Sequence, residues 1–394
     1  MGRHGRPHAI TLRRGHVTVN VLYHHRTKSR DGQAVHIREL IAAMRRRGLG
    51  VEEWALSKGD SGDMGSEGGL FGRLAALAPR GAYELAEHGY GLAVGSRLVA
   101  AGRECAADVL YERHALNNTA GVRAARRLGI PLLLEVNSPL THERSAHETL
   151  VFQRWSRASE RRVLAAADRL LVVTEVLADM LVADGVDRAK IEVLHNGADL
   201  SQYPADEQDE HEGLVVGFSG FFRPWHDIES LVSGLADGVL GADARLLLVG
   251  DGPSREAIEA QALRLGVADR VTITGAVERE RIPQLVRSMD ICVQPAATAW
   301  ASPLKLFEYM AAGRAIVAPD QPNLREVLKH EETALLFEPG GMAGAVARLA
   351  HDASLRQAMG RAAREKVEQQ PYTWDGNAAR VEQIADECLR EPRR

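Results

Sequence analysis

Short continuous apolar runs alternate with longer stretches of helical period along almost the whole chain. In the first half the apolar runs fall at 17–23, 108–111, 131–136, 169–173 and 191–194. Each is too short for a helix, and none shows the strict alternation of a strand with one wet face. Helical patterns at 34–47, 119–128 and 149–166 lie between them. After residue 200 the rhythm restarts, with strands expected at 214–218, 244–249, 270–274, 291–294, 315–318 and 334–336. Helices are expected at 228–235, 254–265, 282–288, 304–312 and 342–368. Strands buried on both faces and interleaved with helices predict parallel sheets covered by helices on each side.

The polar stretch 199–212, with Pro204 and six acidic residues, separates the two sets. The pattern therefore predicts an α/β protein of two doubly wound, Rossmann-like domains, 15–200 and 201–370, facing a central crevice. Residues 1–14 are basic and His-rich without an apolar core, which predicts a flexible arm and no signal peptide. Residues 57–69, rich in Gly, Ser and Asp, predict a long loop on the first domain.

Composition narrows the classes. A chain of 394 residues with 45% hydrophobic and 26% charged positions is ordinary two-domain globular material. A formal charge of -4 argues against a nucleic-acid partner, which favours a basic face. Cys105, Cys292 and Cys388 are far apart and lack metal-ligand spacing, as expected in a reducing compartment. No apolar run approaches the roughly 18 residues of a spanning helix, so a cytoplasmic location is the expectation. Basic clusters at Arg45-Arg46-Arg47, Arg161-Arg162 and Arg123 to Arg127 would suit peripheral contact with an anionic membrane. Helix C-termini attract such residues anyway, and a solvated face accounts for them.

The candidate chemistry concentrates at 301–313. Ser302-Pro303 suits the cap and first position of a helix. Lys305 adds a full positive charge to a helix start, where free N–H groups already favour anions. Glu308 lies on the same face, about 4.5 Å further along the axis. That spacing suits a diphosphate at the helix tip and a ribose diol one turn deeper.

Six runs then appear in an order that resembles the family-4 glycosyltransferases of GT-B fold. They are Asp31-Gly32-Gln33-Ala34-Val35-His36 with its following helix, Leu194-His195-Asn196-Gly197-Ala198-Asp199, and Gly217-Phe218-Ser219-Gly220 with Arg223 and His226. Leu248-Val249-Gly250-Asp251-Gly252-Pro253, the run from Val271 to Val277, and Glu308-Tyr309-Met310-Ala311-Ala312-Gly313 complete the set. Residues 371–394 resemble the family's closing helix, which crosses back onto the first domain.

The resemblance implies retaining transfer of a sugar from a nucleoside-diphosphate sugar to an acceptor, with no metal and no other cofactor. The donor would lie on the second domain and the acceptor, a small natural product, glycan or lipid-linked sugar, largely on the first. Lys305, Arg223 and His226 would stabilise the leaving diphosphate, with Glu308 on the ribose. Gly32, Gly220, Gly275, Val277, Ser302, Pro303 and Leu304 would complete the donor site. His24, His25, Glu112, Glu135 and Asn137, at the ends of first-domain strands, are the acceptor-side candidates; structural ion pairing with Arg113 or Arg144 would explain Glu112 or Glu135 equally well.

The chain departs from the pattern in places. Phe221 stands where relatives carry an arginine, His226 where they carry a lysine, and Trp300 where they carry a glutamate eight residues before Glu308. Trp225 is expected to pack under its loop. A GT-B sugar-nucleotide epimerase or hydrolase, or a two-lobed binding protein without catalysis, would share this architecture. A nicotinamide enzyme fits less well, because Gly250-Asp251-Gly252 is followed by Arg255 where the third glycine belongs.

Overall fold

A computed structural model of the protein describes residues 18–27, 32–55, 80–147, 150–204, 213–369 and 372–391. The expected arm 1–14 and the loop 57–69 lie outside them, as do Asp31 and most of the polar stretch after Pro204. The first lobe runs β1 (Asn20–His25), α1 (Gly32–Arg46), β2 (Gly50–Ala55), α2 (Arg80–Glu104), β3 (Val109–Arg113), α3 (Ala120–Leu128), β4 (Leu132–Val136), α4 (Leu140–His147), α5 (Gln153–Ala166), β5 (Arg169–Val172), α6 (Glu175–Ala183) and β6 (Ile191–Val193). The second runs β7 (Leu214–Ser219), α7 (Glu229–Ala236), β8 (Ala244–Val249), α8 (Arg255–Arg264), β9 (Val271–Ile273), α9 (Ile282–Arg287), β10 (Ile291–Val293), α10 (Leu304–Ala311), β11 (Ala315–Pro319), α11 (Pro322–Arg325), β12 (Leu335–Phe337), α12 (Met342–His351) and α13 (Ala353–Gln369). The last helix, α14 (Trp374–Arg390), returns to the first lobe.

Both sheets are six-stranded and parallel, in the orders β2-β1-β3-β4-β5-β6 and β12-β11-β10-β7-β8-β9. Strand order reverses between β1 and β3 in one sheet and between β7 and β10 in the other, the places where such sheets take ligands. Every residue of β3 and β4 is buried, which fits their mostly apolar sequence and leaves Glu112, Arg113 and Glu135 as charged groups inside the lobe.

Four features were not legible in the pattern. β2 (GVEEWA) is an edge strand carrying two glutamates, so its apolar signal is weak. The helical period of α2 is broken by glycines that serve close packing: a Cβ on Gly91 would fall 2.5 Å from Thr119 Oγ1. The short helices α4 and α6 lie in stretches where no period stands out. The expected helix 342–368 is two helices, divided at Asp352, whose side chain accepts a hydrogen bond from Leu355 N at 2.8 Å and so caps α13.

Chain passes between the lobes beside the start of α14. Ala198 pairs with Thr373, and a Cβ on Gly197 would sit 2.6 Å from the Thr373 carbonyl carbon. α14 then buries Trp374, Ala378, Val381 and Ile384 against Val21, Ile37, Leu40 and Ile41 of β1 and α1. Among the described residues no helix is long and apolar enough to cross a membrane.

Candidate active site

Each lobe starts a helix at the crevice, and the two starts meet. α1 begins at Gly32 and α10 at Leu304, and a Cβ on Gly32 would lie 3.3 Å from Leu304 Cδ1. Helix N-termini carry unpaired N–H groups and partial positive charge, so their meeting favours an anion between the lobes. Pro303, not Ser302, occupies the cap position of α10, and no side chain caps the helix. Ser302 instead turns its hydroxyl toward the interlobe strap, accepting from Asn196 N at 3.2 Å. The first-turn N–H groups of α10 are thus left without a capping side chain.

Lys305 stands directly behind this tip. Its ammonium lies 4.1 Å from the centre of the Phe218 ring, and a Cβ on Gly220 would come within 2.5 Å of Nζ. Gly220 also has φ 144°, a conformation that side-chain-bearing residues rarely adopt. Tyr309 of α10 fixes this corner from beneath, its hydroxyl accepting from Ser219 N at 2.9 Å. Although Lys305 as a residue is only half-buried, its ammonium is withdrawn from water. Burial lowers its pKa to about 7, with the nearby Glu308 carboxylate pulling the other way.

The loop after Gly220 differs from expectation. His226 is buried; its Nδ1 accepts from Arg223 N at 3.3 Å, and its ring also bonds the Phe221 backbone. Burial, then the charges of Lys305 and Arg223, push its pKa down to about 4, so it is neutral rather than a cation. Arg223 is exposed, with its guanidinium 5.2 Å from the centre of the Phe221 ring. Trp225 does not pack under the loop: it is 52% exposed and meets the His226 ring edge-on.

Glu308 is 5% exposed and is held in an ion pair by Arg279, a residue that the sequence reading missed. Arg279 lies two residues beyond Val277 in the loop after β9, so the signal was adjacency to a loop already expected at the donor site. Val277 is half-buried against the core under α10, and Gly275 has φ 68° and bridges to Gly250.

On the first lobe, the structure withdraws several acceptor-side candidates into the interior. His24 is fully buried and contacts Glu112 at 2.5 Å through Nδ1 and Tyr90 Oη at 3.2 Å through Nε2. Glu112 also accepts from Asn118 Nδ2 at 2.9 Å and Gly121 N at 3.2 Å, leaving neither residue to orient an acceptor. Glu135 accepts from the hydroxyls of Tyr23 and Tyr111, from Asn137 Nδ2 at 2.5 Å, and from Arg113, the structural pairing that had been the alternative. Burial alone would raise its pKa, but His36, Arg113 and Asn137 together hold it well below the usual carboxylate range. Asn137 is half-buried at the margin of this knot, whereas His25 is buried and contacts Glu53 at 3.0 Å.

Trp300 packs against the apolar core of the first lobe, and its carbonyl accepts from Thr174 Oγ1 at 3.0 Å. The position where relatives carry a glutamate is here a contact between lobes. Among the described residues no three His, Cys, Asp or Glu side chains are grouped to hold a metal ion.

Two facing parallel sheets with an anion-favouring helix tip at their junction define a GT-B architecture, and comparison with known proteins agrees. A profile described as Glycosyltransferase Family 4 matches residues 30–202, and one described as Glycosyl transferases group 1 matches residues 213–352. Anabaena HepE, solved in complex with UDP, superposes with a TM-score of 0.68 at 16% identity, covering 94% of this chain and 100% of that one. Sucrose-phosphate synthase from Thermosynechococcus elongatus gives 0.70 at 18% identity, covering 94% and 99%. In sequence, a D-inositol 3-phosphate glycosyltransferase of Mycobacteroides abscessus is 31% identical over 58% of this chain and 54% of its own length. An α-D-kanosaminyltransferase of Streptomyces kanamyceticus is 27% identical over 60% and 65%. The match thus spans between about half and two thirds of these relatives' lengths. The chain belongs to the family-4 glycosyltransferases of GT-B fold.

Proposed function

We propose that this chain transfers a glycosyl group from a nucleoside-diphosphate sugar to a hydroxyl-bearing acceptor, with retention at the anomeric carbon and without a metal. The observation that carries this is the meeting of the α1 and α10 starts beside Lys305 and Gly220. Breaking the anomeric bond places negative charge on the departing diphosphate. A fixed ammonium and oriented N–H dipoles stabilise that charge without reorganising, as a metal would elsewhere. Lys305 serves as the principal cation and Arg223 as a mobile cation at the rim, while neutral His226 ties down the loop from Phe221 to Arg223. Glu308 exchanges Arg279 for the ribose hydroxyls, or grips them while Arg279 holds it in place. In a front-face reaction the leaving phosphate oxygen takes the acceptor proton, so the inward withdrawal of Glu112 and Glu135 is no obstacle.

The names of two relatives, the inositol phosphate enzyme above and a 2-deoxystreptamine glucosyltransferase of Streptomyces kanamyceticus, suggest D-inositol 3-phosphate and 2-deoxystreptamine as the first acceptors to try. UDP- and GDP-sugars would be incubated with each, with EDTA or manganese, and the anomeric configuration of the product read by NMR. An α-linked product from an α-donor, unaffected by EDTA, is expected. Sugar release or epimerisation without any transfer would refute the assignment, and activity abolished by EDTA and restored by manganese would refute its metal-free part.

A further inference from the structure

We infer that His36 and Asn196 are positioning residues of the donor site, fixing the start of α10 against the start of α1 across the strap between the lobes. The inference rests on the donor reading above. Asn196 is 7% exposed and lies on the strap that follows β6. Its backbone N–H donates to Ser302 Oγ at 3.2 Å and its Nδ2 to the Ser302 carbonyl at 2.5 Å. Because Nδ2 is committed to a carbonyl, Oδ1 must face His36, and it accepts from Nδ1 at 2.8 Å. That assignment puts a proton on Nδ1.

His36 is also 7% exposed and sits one turn beyond Gly32, so it shares the face of α1 that meets α10. Its ring rests edge-on against Trp374 at 5.1 Å, and its Nε2 lies 3.3 Å from Glu135 Oε2. Glu135 is itself immobilised by Tyr23, Tyr111, Arg113 and Asn137. A series of buried hydrogen bonds therefore runs from His36 on α1, through the strap, to the residue before the α10 cap. Further polar ties between lobes among the described residues, Thr174 to Trp300 and the amides of Glu175 and Val176 to Glu326, engage the start of α6. The His36–Asn196–Ser302 series sets the spacing of the two helix tips that would clasp the diphosphate.

The test is calorimetric titration of the full chain with UDP and with GDP, alongside donor KM and kcat for whichever sugar nucleotide is turned over. His36→Ala and Asn196→Ala should each weaken diphosphate binding and raise donor KM about tenfold, the scale of one lost buried hydrogen bond. The double variant should be little worse than either single one, because both cut the same series. His36→Gln, whose amide can still donate to Asn196, should restore most of the affinity. Asn196→Asp, which keeps the acceptor but sets an oxygen against the Ser302 carbonyl, should be impaired like the alanine variant and serves if His36→Ala does not fold. Variants that bind like wild type, additive losses, or a His36→Gln as impaired as His36→Ala would overturn the inference while leaving the donor reading intact. A wild-type chain that binds neither diphosphate would overturn both.

Discussion

At Lys305 the proposed role carries a cost in stability. Its folded-state pKa, about 7, lies below the ordinary 10.5. Below pH 7 both folded and unfolded chains carry the proton, and the penalty of burying the charge is fully present. Between about 7 and 10.5 the unfolded chain binds more protons, so stability rises with pH through that window. Lys305→Met should therefore raise the melting temperature at pH 6 while lowering turnover by about 10²–10³, the scale for one charge-stabilising donor. A variant of unchanged turnover would remove Lys305 from the mechanism. Donor kcat/KM should also fall as pH rises through about 7, where the free enzyme loses its cation. The kcat itself should hold to higher pH, since a bound diphosphate favours the ammonium. Parallel pH profiles of the two constants would contradict this.

Among elements, the corner between β7 and the loop before α7 is the most constrained. Gly220→Ala meets both a φ of 144° and an ammonium 2.5 Å from the new Cβ. The lysine end is flexible and will move, so the expected loss is larger in turnover, about tenfold or more, than in melting temperature. A variant destabilised but fully active per folded molecule would argue against that placement of Lys305. At the end of β4, Glu135 has a depressed pKa, so its contribution is present above the ordinary value near 4.5 and is lost as pH falls below it. Glu135→Gln should flatten the acid limb of the stability curve, as followed by circular dichroism, and leave the buried Arg113 poorly compensated at neutral pH.

At the scale of the whole molecule, the lobes touch through Trp300 on the first-lobe core and through Leu304 beside Gly32. Trp300→Ala should lower stability by about 1–3 kcal/mol in urea unfolding, as for a partly buried aromatic. It should also increase the radius of gyration in solution scattering by loosening the lobe contact. An unchanged scattering profile would mean that the other ties suffice.

The chain's own pattern determined the two-sheet architecture, because strands buried on both faces are mostly apolar and parallel crossovers are usually helical. It also determined the helix that carries Lys305 and Glu308, whose spacing is local. It could not reveal the edge strand β2, whose two glutamates weaken its apolar signal, or α2, whose Gly91 answers to the start of α3. Nor could it show that Arg279 holds Glu308, that His226 is neutral, or that Glu112 and Glu135 are withdrawn from the surface. Those outcomes depend on burial and on charges brought together from distant parts of the sequence. Only folding decides which groups share a low-dielectric interior, and the interior decides which of them ionise and which face the crevice.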